Sequence, residues 1–173
     1  MKKILLYGLD SEKTKITEEV ASEFGIELNK INKENLEEKV GKLFEEDLSK
    51  NEGLEAEEEL MVFSDMDREE LRDFLLGLKV KGVMVDHKCV LTKTNAEWTF
   101  GFLMGHIADE HRVVTKFREL GGLVKIALDK LEKGADQDLK KLVDRAMENR
   151  DRELYEERID KDIRDLKDKL NIK

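Results

Sequence analysis

The chain contains no proline, one cysteine and one tryptophan, and aromatic residues make up only 6% of it. Without proline nothing imposes a fixed kink, and with Glu and Lys abundant the composition favours helices throughout; it fits a biased genome or a warm habitat. The lone thiol, Cys89, cannot close an internal disulfide and suits a reducing compartment. No apolar run approaches the roughly 20 residues that a membrane span needs. The opening Met1-Lys2-Lys3-Ile4-Leu5-Leu6-Tyr7 is too short and too soon interrupted for a signal peptide. The expectation is a cytoplasmic protein with no membrane partner.

Catalytic fingerprints are missing as well. There is no Gly-x-Gly-x-x-Gly, no Walker sequence, no Gly-x-Ser-x-Gly, no Cys-x-x-Cys and no His-Glu-x-x-His. No cofactor and no metal are therefore expected. His106 and Glu110 stand four apart on one predicted helix face, but His111 points well away from them. Cys89 has no partner cysteine and no nucleophile context, so its expected role is packing, as is that of Trp98.

What the chain has is charge, unevenly spread. Residues 10–74 hold 9 Lys/Arg against 22 Asp/Glu, residues 75–133 hold 10 against 7, and residues 134–173 hold 11 against 12. So acidic a first half repels phosphate backbones, which makes nucleic acid an unlikely partner.

The 173 residues suffice for one ordinary domain with an appendage. Ile4-Leu5-Leu6-Tyr7 ended by Gly8, and Leu60-Met61-Val62-Phe63 ended by Ser64-Asp65, read as strands buried on both faces. Ile26-Glu27-Leu28 alternates as an edge strand does, and a last strand is expected within Val83-Met84-Val85 and Cys89-Val90-Leu91. Between them, Ile16, Val20, Ala21 and Phe24 form one helical stripe, Leu36, Val40, Leu43, Phe44 and Leu48 a second, and Leu71, Phe74, Leu75 and Leu78 a third. The acidic run Asn51 to Glu59 reads as a solvated loop. Alternation of strand and helix predicts an α/β fold with a four-stranded, mainly parallel sheet in the flavodoxin-like order 2-1-3-4.

Thr94 is expected to cap a fourth helix, with Glu97 reaching back in a capping box. Trp98, Phe100, Phe102, Leu103, Met104 and Ile107 lie all round that helix and predict extensive burial, and Gly101 and Gly105 predict close packing. Another short amphipathic segment follows Gly121-Gly122. Beyond it Ile159, Ile163, Leu166 and Leu170 form a seam that either folds back on the protein or pairs with another chain. The division expected is an α/β domain over 1–115 and a charged helical extension over 116–173. A protein partner or a second copy is expected to bind through the C-terminal helices.

The stretch Lys88-Cys89-Val90-Leu91-Thr92-Lys93-Thr94-Asn95-Ala96-Glu97-Trp98, closed later by Asp109-Glu110-His111, resembles the prokaryotic family called domain of unknown function 3783. Members of that family begin with a strand like Ile4-Leu5-Leu6-Tyr7 and end with Lys-Ala-Val-Leu-Thr-Pro-Thr-Asn before a Trp-containing helix. The likeness covers about residues 3–112, with Cys89 in place of the alanine and Lys93 in place of the proline. It implies no activity.

In open α/β sheets ligands bind beyond the carboxyl ends of the strands. The polar residues expected there are Asp10, Asp65, Asp67, Asp86, His87 and Lys88, with the amides around Thr92, Thr94 and Asn95 opening a helix. A phosphoacceptor pocket fits poorly, because only Asp10 follows the first strand. Two readings of function result. The leading one is a non-catalytic regulatory or protein-interaction module; the alternative is a small-molecule or anion-binding protein, or an enzyme, using the Asp86-His87-Lys88 region with His87 as a proton carrier.

Overall fold

A computed structural model describes residues 2–150 and 155–172 of the chain. It divides into two compact units, Met1–Ala108 and Asp109–Lys173.

In the first unit the two most apolar runs form β1 (Lys3–Tyr7) and β3 (Leu60–Ser64), with every residue of both buried. β2 (Glu27–Lys30) and β4 (His87–Val90) flank them in the order β2-β1-β3-β4. The α/β class and the 2-1-3-4 order are those expected from the sequence. β1 and β2 run parallel, as do β3 and β4, whereas β1 and β3 run antiparallel from Lys3↔Ser64 to Tyr7↔Leu60.

The antiparallel pair explains a shortened helix. The chain leaves β2 and enters β3 at the same end of the sheet, so the connection need not travel the length of a strand. Instead of the long predicted stripe it makes a tight turn at Lys33–Asn35 and a six-residue helix, α2 (Val40–Glu45). Buried Asn29 on β2 closes that helix: its amide donates to the Leu43 and Glu46 carbonyls and its oxygen accepts from Leu48 N.

Side chains alternate across the sheet and build two cores. Ile4, Leu6, Met61 and Phe63 face α1 (Ser11–Glu23) and α3 (Arg68–Val80), meeting Val20, Phe74 and Leu78. Leu5, Tyr7, Leu60 and Val62 face Val40 and Leu43 of α2, and Phe100 and Leu103 of α4 (Phe100–Lys133).

The start of α4 corrects the expected capping box. Thr94 makes no side-chain cap, Asn95–Glu97 is a tight turn, and Trp98 is extended with its carbonyl accepting from Val40 N. The helix opens later, where Thr99 Oγ1 accepts from Phe102 N at 3.3 Å. Nor is it buried all round, since Phe102 is 58% exposed. Gly101 lies close to the Leu36 carbonyl, as close packing requires, while Gly105 faces open space.

In the second unit α4 runs unbroken through Gly121-Gly122 and is followed by α5 (Gln137–Arg150) and α6 (Glu156–Leu170). Leu120, Leu123 and Ala127 meet Leu139, Val143 and Ala146, and Ile159, Ile163 and Leu166 complete this core. The C-terminal seam therefore closes within its own unit. Asp162, 1% exposed, takes Arg145 Nε at 2.7 Å and Asn149 Nδ2 at 2.8 Å, which fixes α5 against α6.

Candidate functional site

Strand polarity decides which candidate residues meet. The end of the sheet where β1 finishes is also where β3 and β4 begin, because Tyr7 pairs with Leu60 and Leu60 with His87. Asp86, His87 and Lys88 therefore lie at the amino end of β4 rather than at a carboxyl end, and they share that end of the sheet with Asp10. Asp65, Thr92, Thr94 and Asn95 sit at the opposite end, roughly 15 Å away across a five-residue strand. The eight residues form two groups.

At the first end Gly8 admits the acidic loop. Its φ is +85°, and a Cβ there would stand 2.0 Å from the Glu58 carbonyl oxygen, so only glycine fits. The loop is anchored by Ala56 N donating to Gly8 O at 3.0 Å and carries Glu58 and Glu59 toward the candidates. Asp10 caps α1, accepting from Lys13 N at 2.8 Å. Lys13 Nζ donates to Glu59 at 2.5 Å. That bond, with the charges of Glu59, Asp10 and Asp86, holds the Lys13 amine above its ordinary value. His87 is buried, with Nε2 2.8 Å from a Glu58 carboxylate oxygen. Lys88 is exposed and donates to the Val85 carbonyl.

A carboxylate beside an imidazole is a proton-transfer pair in principle. The neighbouring thiol adds no nucleophile, since burial pushes Cys89 up to about 12, and an un-ionised thiol is inert. Among the described residues no three His, Cys, Asp or Glu side chains converge as a metal site requires. A recess of about 200 Å³ beside β4 is lined by Leu75, Lys79, Val83, Met84 and Val85, with Lys88 its one candidate residue, and another, lined by Leu9 and Ser11, flanks Asp10.

At the second end the polar groups hold the chain in shape. Asp65 takes a left-handed turn at φ 54°, and Asp67 caps α3 by accepting from Glu69 N and Glu70 N. Thr94 is exposed. Asn95 is buried: its Nδ2 donates to Val90 O at 3.0 Å and its Oδ1 accepts from Thr92 N at 2.7 Å. His87 N donates to the Glu59 carbonyl just before β3 and Leu91 N to the Phe63 carbonyl within it, so residues 88, 90 and 92 turn their backbone groups outward from the sheet edge. One Asn95 amide thus bonds the Val90 carbonyl and the Thr92 amide as a residue of a fifth parallel strand would. It blunts the β4 edge, with Lys88 beside it.

Sequence reasoning missed Glu58, Glu59 and Lys13. The available signal was Gly8, which ends β1 and demands a close neighbour. Trp98, half-buried against the sheet core, meets Phe102 and His106 with ring centroids 5.0 Å apart in each case, one helical turn after another along α4.

A family model described as a domain of unknown function (DUF3783) matches residues 59–114. The resemblance seen in the Lys88–Trp98 segment therefore holds from just before β3 into α4, a narrower span than residues 3–112. No curated protein and no solved structure matches the chain.

Proposed function

We propose that this protein is a non-catalytic interaction module that acts by binding another protein. The observation that carries the reading is how the candidate side chains are used. Asp10 and Asp67 cap helices, Asn95 closes a sheet edge, and His87 is held by Glu58. Large apolar side chains meanwhile stand at the surface of the long helices, among them Phe102, Val114, Leu128 and Met147. Exposed apolar groups framed by charge are what a protein partner covers, and the acidity of residues 10–74 turns nucleic acid away. The test is chemical cross-linking of the tagged full chain in its own cells. A stoichiometric protein partner, joined through these helices, is the expected result. Turnover of a small molecule by the isolated chain would overturn the reading.

A second reading rests on the recess beside β4, where Lys79 and Lys88 flank an apolar floor suited to a small anion with an apolar body. A thermal-shift screen on wild type and Lys88→Ala separates the two. Equal shifts in both proteins, or none, count against this site.

A further inference from the structure

Gly121 and Gly122 occupy the interior of a 34-residue helix, where glycine is the least favourable residue after proline. A Cβ added at either would meet nothing within 4 Å. No described part of the chain needs them to be small. A glycine pair in a helix interior with open space above it suits the close approach of something else.

The surroundings show where that approach occurs. Phe117, Gly121 and Val124 of α4, with Ala146 and Met147 of α5, line a groove of about 250 Å³. Met147 is half exposed, and so are Val114 and Leu128 on the same side of α4. This face is the one turned away from α6. Arg112, Lys116 and Glu119 make the ion pairs to α6, and at 100° per residue positions 114, 118, 121 and 125 fall on the opposite side of the helix. Two antiparallel helices with a third on one side leave a seat for a fourth on the other.

Charge identifies the occupant. Arg118 and Arg150 stand at the margins of the groove, no carboxylate among the described residues lines it, and Lys125 lies two turns along α4 from Arg118. Arg150 spreads over the Phe117 ring at 5.6 Å. Arg112, Lys116 and Lys167 are all ion-paired, but Arg118 and Lys125 pair with no described residue. A second copy of the chain is a poor occupant: crossing antiparallel at the glycines sets Arg118 against Lys125 of the other copy, and crossing parallel sets like residues against each other.

We infer that the α4–α5 groove receives an amphipathic helix of a partner protein, seated over Gly121-Gly122 with its apolar stripe inward and glutamates or aspartates reaching Arg118 and Lys125. The inference rests on the interaction reading above and names its partner class.

The test titrates the full chain against two labelled 20-residue amphipathic peptides with the same apolar stripe, one flanked by Glu and the other by Lys, read by fluorescence anisotropy. The Glu peptide is expected to bind at least tenfold more tightly, and more weakly as salt rises. Gly121→Leu should abolish binding while far-UV circular dichroism and thermal midpoint stay at or above wild type, because leucine favours the helix and its Cβ meets nothing within 4 Å. Arg118→Glu should weaken binding at least tenfold. Equal binding of the two peptides, no binding of either, or full binding by Gly121→Leu overturns the inference. A dimer in sedimentation that Gly121→Leu converts to monomer also overturns it in favour of a second copy, with the interaction reading intact. If the peptides fail while cross-linking finds a stoichiometric protein elsewhere on the chain, the groove is wrong and the interaction reading stands; if cross-linking finds none, both fall.

Discussion

The α/β unit and the helical unit satisfy their buried polar groups differently. In the first, neutral amides serve the backbone: Asn29 closes α2 and Asn95 completes the β4 edge. The nearly buried Lys3 amine donates to a main-chain carbonyl, that of Glu46, at 3.1 Å, with the Glu27 carboxylate farther off at 3.6 Å, and the exception is His87, held by the Glu58 carboxylate at the sheet's margin. In the second, the buried group is the carboxylate of Asp162, answered by the Arg145 guanidinium and the Asn149 amide. A sheet sets its register through backbone ladders, so side chains need only finish its ends. Amphipathic helices can slide along one another, and we attribute the charged network to fixing the α5–α6 register.

The largest expected effect lies in the sheet unit. Phe74 is fully buried between the sheet and α1, edge-on to Phe63 and Phe24. Phe74→Ala should cost about 3–5 kcal/mol, as large cavities in tight cores do. The only tryptophan, Trp98, lies in this unit, so its fluorescence during urea unfolding reads the loss directly. A midpoint equal to wild type would contradict the packing described.

Next comes the charged network. Arg145→Ala leaves Asp162 buried with Asn149 alone, at an expected cost of about 3 kcal/mol. Replacing Arg145 and Asp162 together by leucine should cost much less, because the penalty belongs to the orphaned charge. Far-UV circular dichroism during unfolding measures both. If the single and double variants lose the same stability, buried charge is not what distinguishes this unit.

Smaller again is Asn95→Ala, expected to cost about 1–2 kcal/mol by stripping partners from the Val90 carbonyl and the Thr92 amide. Because Val90 is partly exposed, water recovers some of that loss. Hydrogen exchange supplies the sharper reading: the Thr92 amide should exchange faster than in wild type, with β3 unaffected. Unchanged protection at Thr92 would mean that Asn95 does not close the edge.

These residues also show what was legible in the sequence. β1 and β3 stood out because four consecutive apolar residues flanked by Gly8 or Ser64-Asp65 leave little alternative to a strand buried on both faces. Their relative direction did not, since such a run reads the same from either end. That ambiguity separated Asp10 from Asp65 and Asn95; Asp86, His87 and Lys88 moved for a second reason, because β4 is His87–Val90 rather than Val83–Val85, which puts them at its amino end beside Asp10. The Thr94-x-x-Glu97 pattern pointed to a helix cap, but Asn95 bonds back to Thr92 and Val90, delaying the helix until Thr99. Gly121-Gly122 suggested a break. The apolar spacing of Leu120, Leu123 and Ala127 keeps helical phase across it, and burial of that stripe outweighs two poor helix formers. The Ile159–Leu166 seam was visible, but its partners were not, because a periodic stripe says that a face is covered without saying by what.

The smallest effect separates the exposed charges of the helical unit from its buried one. Glu156 takes Arg112 Nε at 2.9 Å and Lys116 Nζ at 2.7 Å, and these hydrogen bonds lower its carboxyl from 4.5 to about 2. A carboxyl depressed in the folded state contributes stability that is fully present above its unfolded value and lost as the folded value is approached from above. The contribution should therefore be complete above about pH 5 and fade between 4.5 and 2. Glu156→Gln should flatten that part of the stability–pH curve relative to wild type and lower neutral-pH stability by the same small amount, since exposed pairs contribute little. Raising salt should shrink the difference, because screening acts on the exposed pair and spares Asp162. If Glu156→Gln follows the wild-type curve throughout, the α4–α6 ion pairs are surface decoration, and the buried Arg145–Asp162 network alone sets the charge dependence of the unit.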